Sequence, residues 1–195
     1  MTRVARRKLL WFGGLIVLMA VAAVIFRLMD GPFAIFAAAL VALIPGRIQR
    51  TFYRDLFAAR RTMSHGRYAE SAEHSRRFLA DIREQPGLKR LMWIAWPGRT
   101  VDAEAMALNN LGGAQVELGE WDAASRHLTE AIRIDPEYSV PRFNLALIAA
   151  VRGDRETAER LHGEARAMGY ARGSIDALLR HADELRTRFA SPATV

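Results

Sequence analysis

Five histidines, at positions 65, 74, 127, 162 and 181, are the residues of this chain best suited to metal binding or proton transfer. His127 lies near Glu130 and His162 near Glu164, at helical spacings that could join in binding a metal ion. Neither set makes the His-Glu-x-x-His spacing that places two imidazoles and a base on one helix face. The chain contains no cysteine, which removes thiolate ligands, cysteine nucleophiles and disulfides together. No glycine-rich phosphate loop follows a strand signal, and no nucleophile elbow is present. The Gly-Gly pairs starting at 13 and 112 fall inside helical runs, where they permit close packing. These residues predict solvent-exposed or packing histidines, no metal, no cofactor, no small-molecule substrate and no enzymatic activity.

The elements that carry those residues follow from the charge distribution. Residues 1–61 hold ten Arg or Lys against two acids, whereas residues 62–195 hold eighteen against nineteen. A nucleic-acid surface needs its cations on the folded, docking domain. Here they flank the apolar N-terminus, so the formal charge of +7 points to a membrane and not to nucleic acid. Leu9 to Phe26 is uncharged, enough for roughly 27 Å of helix, about one hydrocarbon core. Arg6, Arg7 and Lys8 precede it and Arg27 closes it; a turn follows at Asp30, Gly31 and Pro32. Pro32 to Ile48 is a second, shorter apolar stretch.

Three topologies fit this pattern. In a hairpin both stretches cross, and the cations on either side of the pair (Arg3, Arg6, Arg7, Lys8; Arg47, Arg50, Arg54, Arg60, Arg61) share the cytoplasmic side. In a single span the second stretch packs or lies flat and the remainder is exported. In a cleaved signal peptide, Ala20, Ala22 and Ala23 mark the processing region, but the apolar run is too long for that role. The positive-inside rule favours the hairpin. Arg47 to Arg61 then either rests on anionic headgroups as a basic amphipathic helix or forms the first helix of the soluble domain. Its spacing of Ile48, Phe52, Leu56 and Ala59 on one face favours the second.

From Ala105 to Pro136 the chain carries Leu108, Leu111, Gly112, Gly119, Trp121, Ala124, Leu128, Ala131 and Pro136. A shift of 34 positions meets Leu145, Ala146, Gly153, Ala158 and Ala165, with Asn110 recurring as Asn144. Such a period, with small residues at fixed offsets, signals stacked helical hairpins. Gly112 and Ala124 are small where antiparallel helices approach, and Ala131 is small where the second helix meets the next repeat. Leu111, Leu128 and Ile132 fill the space between. Gly119 suits a helix end that needs positive φ, Trp121 packs beside that turn, and Asp135-Pro136 stops the second helix. The pattern resembles a tetratricopeptide repeat. The second copy departs at His162, which replaces Leu128 with Leu161 beside it to fill the gap, at Arg142 and at Tyr170. A degenerate earlier copy spans Phe52 to Gln85, with Gly66 and Tyr68 matching Gly119 and Trp121, and Ser71, Ser75 and Phe78 standing for Ala124, Leu128 and Ala131.

Between these copies Gly87 to Asp102, with Met92, Trp93, Ile94 and Trp96, interrupts the period as an interfacial segment or an extended helix. Ser174 is placed to cap a last helix whose apolar face holds Ile175, Leu178, Leu179, Ala182, Leu185 and Phe189. The sequence therefore predicts an all-α protein. Residues 1–48 form a transmembrane helical hairpin, 49–190 a tetratricopeptide-like domain with its best repeats at 105–138 and 139–172 and a C-terminal capping helix, and 191–195 a disordered tail.

The resemblance implies a concave groove lined by the first helix of each repeat. That assigns Met106, Asn109, Asn110, Gly113, Val116 and Glu117 to it, followed by Val140, Phe143, Asn144, Leu147 and Val151. Asn110 and Asn144 would either bind the backbone of an extended peptide or bond between helices. The paired cations that clamp a carboxyl terminus in some tetratricopeptide domains are missing here, and the surface suits an apolar or weakly basic segment. The expected function is a membrane-anchored adaptor holding a protein partner; the alternative is an accessory subunit of an integral-membrane complex, packed through Gly13, Gly14 and the alanines at 20, 22, 23 and 37–39. An Arg- and Ala-rich composition with two Lys suggests GC-rich coding, and with it a bacterial inner membrane.

Overall fold

A computed structural model describes residues 3–28, 47, 50–87, 89, 100 and 102–190. Nearly all of the second apolar stretch, the Met92–Trp96 region and the tail 191–195 lie outside the described residues, and with them the expectations placed there. Among the described residues the protein is all-helical, with no strand. Among the described residues eight helices have defined bounds: α1 (Arg3–Leu28), α2 (Arg54–Ser64), α3 (Tyr68–Glu84), α4 (Ala103–Glu117), α5 (Trp121–Ile134), α6 (Ser139–Val151), α7 (Arg155–Ala167) and α8 (Ile175–Ala190).

Helix α1 is long and apolar enough to cross a bilayer. Its stretch Ala5–Val24 has a mean hydropathy of 1.8, and only 6% of it is buried within the protein. Leu9, Ile16, Val17 and Met19 are exposed along its length. Apolar surface left bare in this way is covered by something other than the chain's own core.

The remaining helices fold back on one another through one recurring turn. Gly66, Gly119 and Gly153 each take positive φ, at 72°, 79° and 83°. Around each the backbone bonds repeat: Gly119 N–H donates to Val116 O and Glu120 N–H to Gln115 O, and Gly153 and Asp154 do the same to Ala150 and Ala149. This left-handed closure satisfies the last carbonyls of the first helix, and a side chain there would be strained. The second helix starts at once; Trp121 Nε1 donates to Val116 O at 3.2 Å across the turn. Caps set three other starts: Asp102 accepts from the Glu104 and Ala105 amides, Asp154 from Thr157, and Ser174 Oγ from Ala177.

Close approach governs each pair. A Cβ on Gly112 would lie 2.6 Å from Leu128 Cγ, so α4 and α5 meet at a distance only glycine allows. In α2–α3 the same register is held by Ala59 and Ser71, and Ser71 Oγ donates to Ala59 O at 2.8 Å. Ser75 is likewise buried and bonds Ser71 O, while Tyr53 and Phe78 fill the volume with rings 5.5 Å apart.

Two core clusters result. One joins α2, α3 and α4; the other joins α6 and α8 with Ala124, Leu128 and Ala158. Ala131, expected to face the next repeat, sits in the first cluster with Leu108 and Leu111. Helix α4 feeds both clusters, through Leu108 and Leu111 on one side and Val116 on the other, and is buried on almost every side. His162 is itself buried, its Nε2 donating to Gly173 O at 3.2 Å, while Leu161 is half-buried beside it. The imidazole occupies the leucine position because a backbone carbonyl satisfies its N–H.

Candidate partner-binding groove

Helices α2, α4 and α6 lie side by side, and the residues assigned to a groove fall on α4 and α6. Gly113 marks the approach: a Cβ there would lie 3.3 Å from the Met63 methyl of α2 and 3.5 Å from Asn144 Nδ2 of α6. Asn144 donates to Asn109 Oδ1 at 3.1 Å, an amide bond between neighbouring first helices. Asn109 is buried by this contact, whereas Asn110 is half-exposed one position round the helix. Met106, Phe143 and Asn144 are also half-buried. Phe143 stacks on Tyr170 with centroids 4.5 Å apart, and His162 flanks it at 6.0 Å.

The other residues assigned to a groove are covered. Val116, Leu147 and Val151 are buried in one cluster with Leu178, Ala182 and Leu185 of α8. Gly173, just before α8, lies against the Phe143 ring near the start of α6, and Arg186 donates to Ala150 O and Val151 O at its end. Helix α8 therefore runs parallel to α6. Its far end reaches α4: the Phe189 ring meets Gly119 and stacks edge-on against Trp121 at 5.8 Å.

Glu117, the one acid assigned to the groove, is the polar centre of that closure. Its carboxylate is 11% exposed and accepts from His181 Nε2 at 2.7 Å, with Arg188 3.7 Å away. Burial alone would lower the His181 pKa, but the bonds and charges of Glu117 and Glu184 outweigh it and hold it above the ordinary value. Burial and the Glu117 charge both push the Tyr68 phenol up. His181, Arg186 and Arg188 were not read from the sequence as site residues, which assigned α8 only an apolar stripe. The available signal was Glu117 itself, an acid in an apolar lining that calls for a cation on whatever covers it.

His74 and His127 serve packing, whereas His65 is exposed. His74 Nδ1 donates to Asp55 at 2.8 Å and His127 Nδ1 to Gln115 Oε1 at 2.7 Å, each tying a second helix to the first helix before it. Burial, together with Arg126, Arg76 and Arg83, lowers the His127 pKa. Among the described residues no three His, Asp or Glu side chains are grouped to hold a metal.

At the N-terminal end, Arg7 is buried to 6% exposure in the field of Tyr53 and Asp102, the residues that precede α2 and α4. Burial pushes the Tyr53 phenol up to about 12 despite the opposing Arg7 charge. Among the described residues, fold and site together define an all-helical, repeat-like protein with one helix of membrane-spanning length and a half-occupied face between its first helices. The chain matches no protein-family model, no curated protein and no solved structure.

Proposed function

We propose that this protein is a membrane-anchored scaffold with a tetratricopeptide-like domain, which holds a protein partner beside the bilayer through the open half of its groove. The observation that carries this reading is the contrast within the groove: Met106, Asn110 and Asn144 stay partly exposed, beside a Phe143 ring packed on Tyr170, on a frame whose other half is sealed by α8. Glu117 is already matched by His181 and Arg188, so the open half offers apolar surface and amide groups without a free acid. That surface suits an apolar segment with backbone groups to bind, more than a basic one. A tether raises the effective concentration of such a partner without a tight site.

The anchor in this reading is a hairpin in a bacterial inner membrane, with the domain in the cytoplasm. Its support is the position of Arg7. Residues 7 and 53 stand on opposite sides of both apolar stretches in sequence, yet the charge of one acts on the other. A helix from Arg3 to Leu28 is about 39 Å long, enough for one crossing, and in a hairpin the second apolar stretch brings Tyr53 back to the side of Arg7.

The test is a photoreactive residue at Asn110 or Asn144, with a control at the exposed Arg126 of α5. The reading expects one protein captured in high yield from the groove positions and not from the control. Equal capture from Arg126, or none from either groove position, would contradict it. Co-purification of a stoichiometric transmembrane partner captured through α1 instead would favour an accessory-subunit role.

A further inference from the structure

Helix α2 has an outer face that neither the groove nor the core uses. Its inner side buries Leu56, Ala59 and Thr62. On the opposite side Arg54, Phe57 and Arg61 recur at i, i+3 and i+7, which aligns them in one stripe. Arg54 has 79% of its side chain exposed and Phe57 is 43% exposed. Arg47, Arg50, Arg60 and Phe52 are exposed around and before it. The only acid between residues 47 and 64 is Asp55, which bonds His74, lies 3.8 Å from Arg54 and has only 12% of its side chain exposed. The face is thus uniformly cationic, with two phenylalanines in water.

A second observation places this face. Arg7, two residues before the apolar run of α1, is buried in the field of Tyr53, which immediately precedes α2. The start of α2 therefore lies at the level where α1 leaves the hydrocarbon. Cations interleaved with aromatics, beginning at that level, match an anionic lipid surface: the guanidinium groups reach phosphates and the rings enter the headgroup boundary.

We propose that α2 lies along the bilayer with its Arg54–Phe57–Arg61 stripe docked on anionic headgroups, fixing how the domain sits above the membrane. The proposal rests on α1 being inserted, as the scaffold reading holds. Helix α2 is about 16 Å long, so a docked helix keeps its far end at the headgroups and an upright one lifts it clear.

The absence of cysteine makes the test direct. The full chain, carrying an environment-sensitive fluorophore on Ser64→Cys at the far end of α2, is reconstituted into phosphatidylglycerol-containing or pure phosphatidylcholine vesicles with a headgroup-level lipid quencher. The proposal expects strong quenching in the anionic vesicles, weak quenching in the zwitterionic ones, and loss on raising salt. Arg54→Gln with Arg61→Gln should lower the docking equilibrium roughly thirtyfold, from about fivefold per cation near such a surface. No quenching at position 64, or equal quenching in both lipids, overturns it. A label on Val17→Cys with a deep quencher reports insertion separately: if that label stays unquenched, the anchor itself is wrong and the docking falls with it.

Discussion

Helix pairs α2–α3 and α4–α5 meet the same demand for close approach with different chemistry. In α4–α5 a glycine admits a leucine, whose side chain makes the nearest contacts at the crossing. In α2–α3 Ala59 and Ser71 meet at the crossing and Ser75 stands in place of the leucine; both hydroxyls are satisfied by the helix backbone, and the missing volume comes from Tyr53 and Phe78. The difference shows that the register of a helical hairpin is set by how near two backbones come. The identity of the filling residue is secondary, provided every buried polar atom is bonded.

The comparison can be broken most easily at Leu128, which is fully buried. Leu128→Ala should cost roughly 2–5 kcal/mol, read as a shift in urea midpoint in mild detergent. A loss under about 1 kcal/mol would mean that this crossing collapses as readily as a surface site. Gly112→Ala comes next, because the new Cβ would overlap Leu128; overpacking costs roughly 1–3 kcal/mol. Gly163→Ala in α7 meets nothing within 4 Å and should instead gain up to about 1 kcal/mol from helix propensity. Opposite signs at the two helical glycines would separate close approach from propensity. Ser71→Ala tests the other pair and should cost about 1 kcal/mol, the worth of one neutral hydrogen bond.

The smallest effects are two opposing titrations. His181 titrates above its ordinary 6.5 in the fold, so its stabilisation is complete below that value and is lost as pH rises through the folded pKa. His127 titrates below 6.5, so the unfolded chain binds protons first and stability falls as pH drops below that value. His181→Gln should remove the alkaline loss and His127→Gln the acid loss, measured as urea midpoints from about pH 5 to about pH 8.

Much of the local fold is legible in the residues. Gly119, Gly153 and Gly66 fix the turns, Asp135-Pro136 ends α5 and Ser174 caps α8, because each depends on neighbours close in sequence. The groove was less legible. Its asparagine bond joins Asn144 to Asn109, 35 positions apart; the repeat spacing pointed to Asn110, which lies 100° further round the helix. The burial of Val116 and Leu147 under α8 depends on a contact some 64 residues away, between His181 and Glu117, that periodicity does not encode. Arg7 beside Tyr53 is long-range in the same sense.

The account rests most heavily on both ends of the apolar region facing one side of the membrane. Single cysteines at the exposed Arg6 and Arg54, introduced one at a time, are exposed to a membrane-impermeant maleimide in sealed vesicles of known orientation. Labelling of both from the cytoplasmic side, with neither reached from the other, is the expected result. Labelling of Arg6→Cys and Arg54→Cys from opposite sides would contradict the hairpin and the scaffold reading built on it.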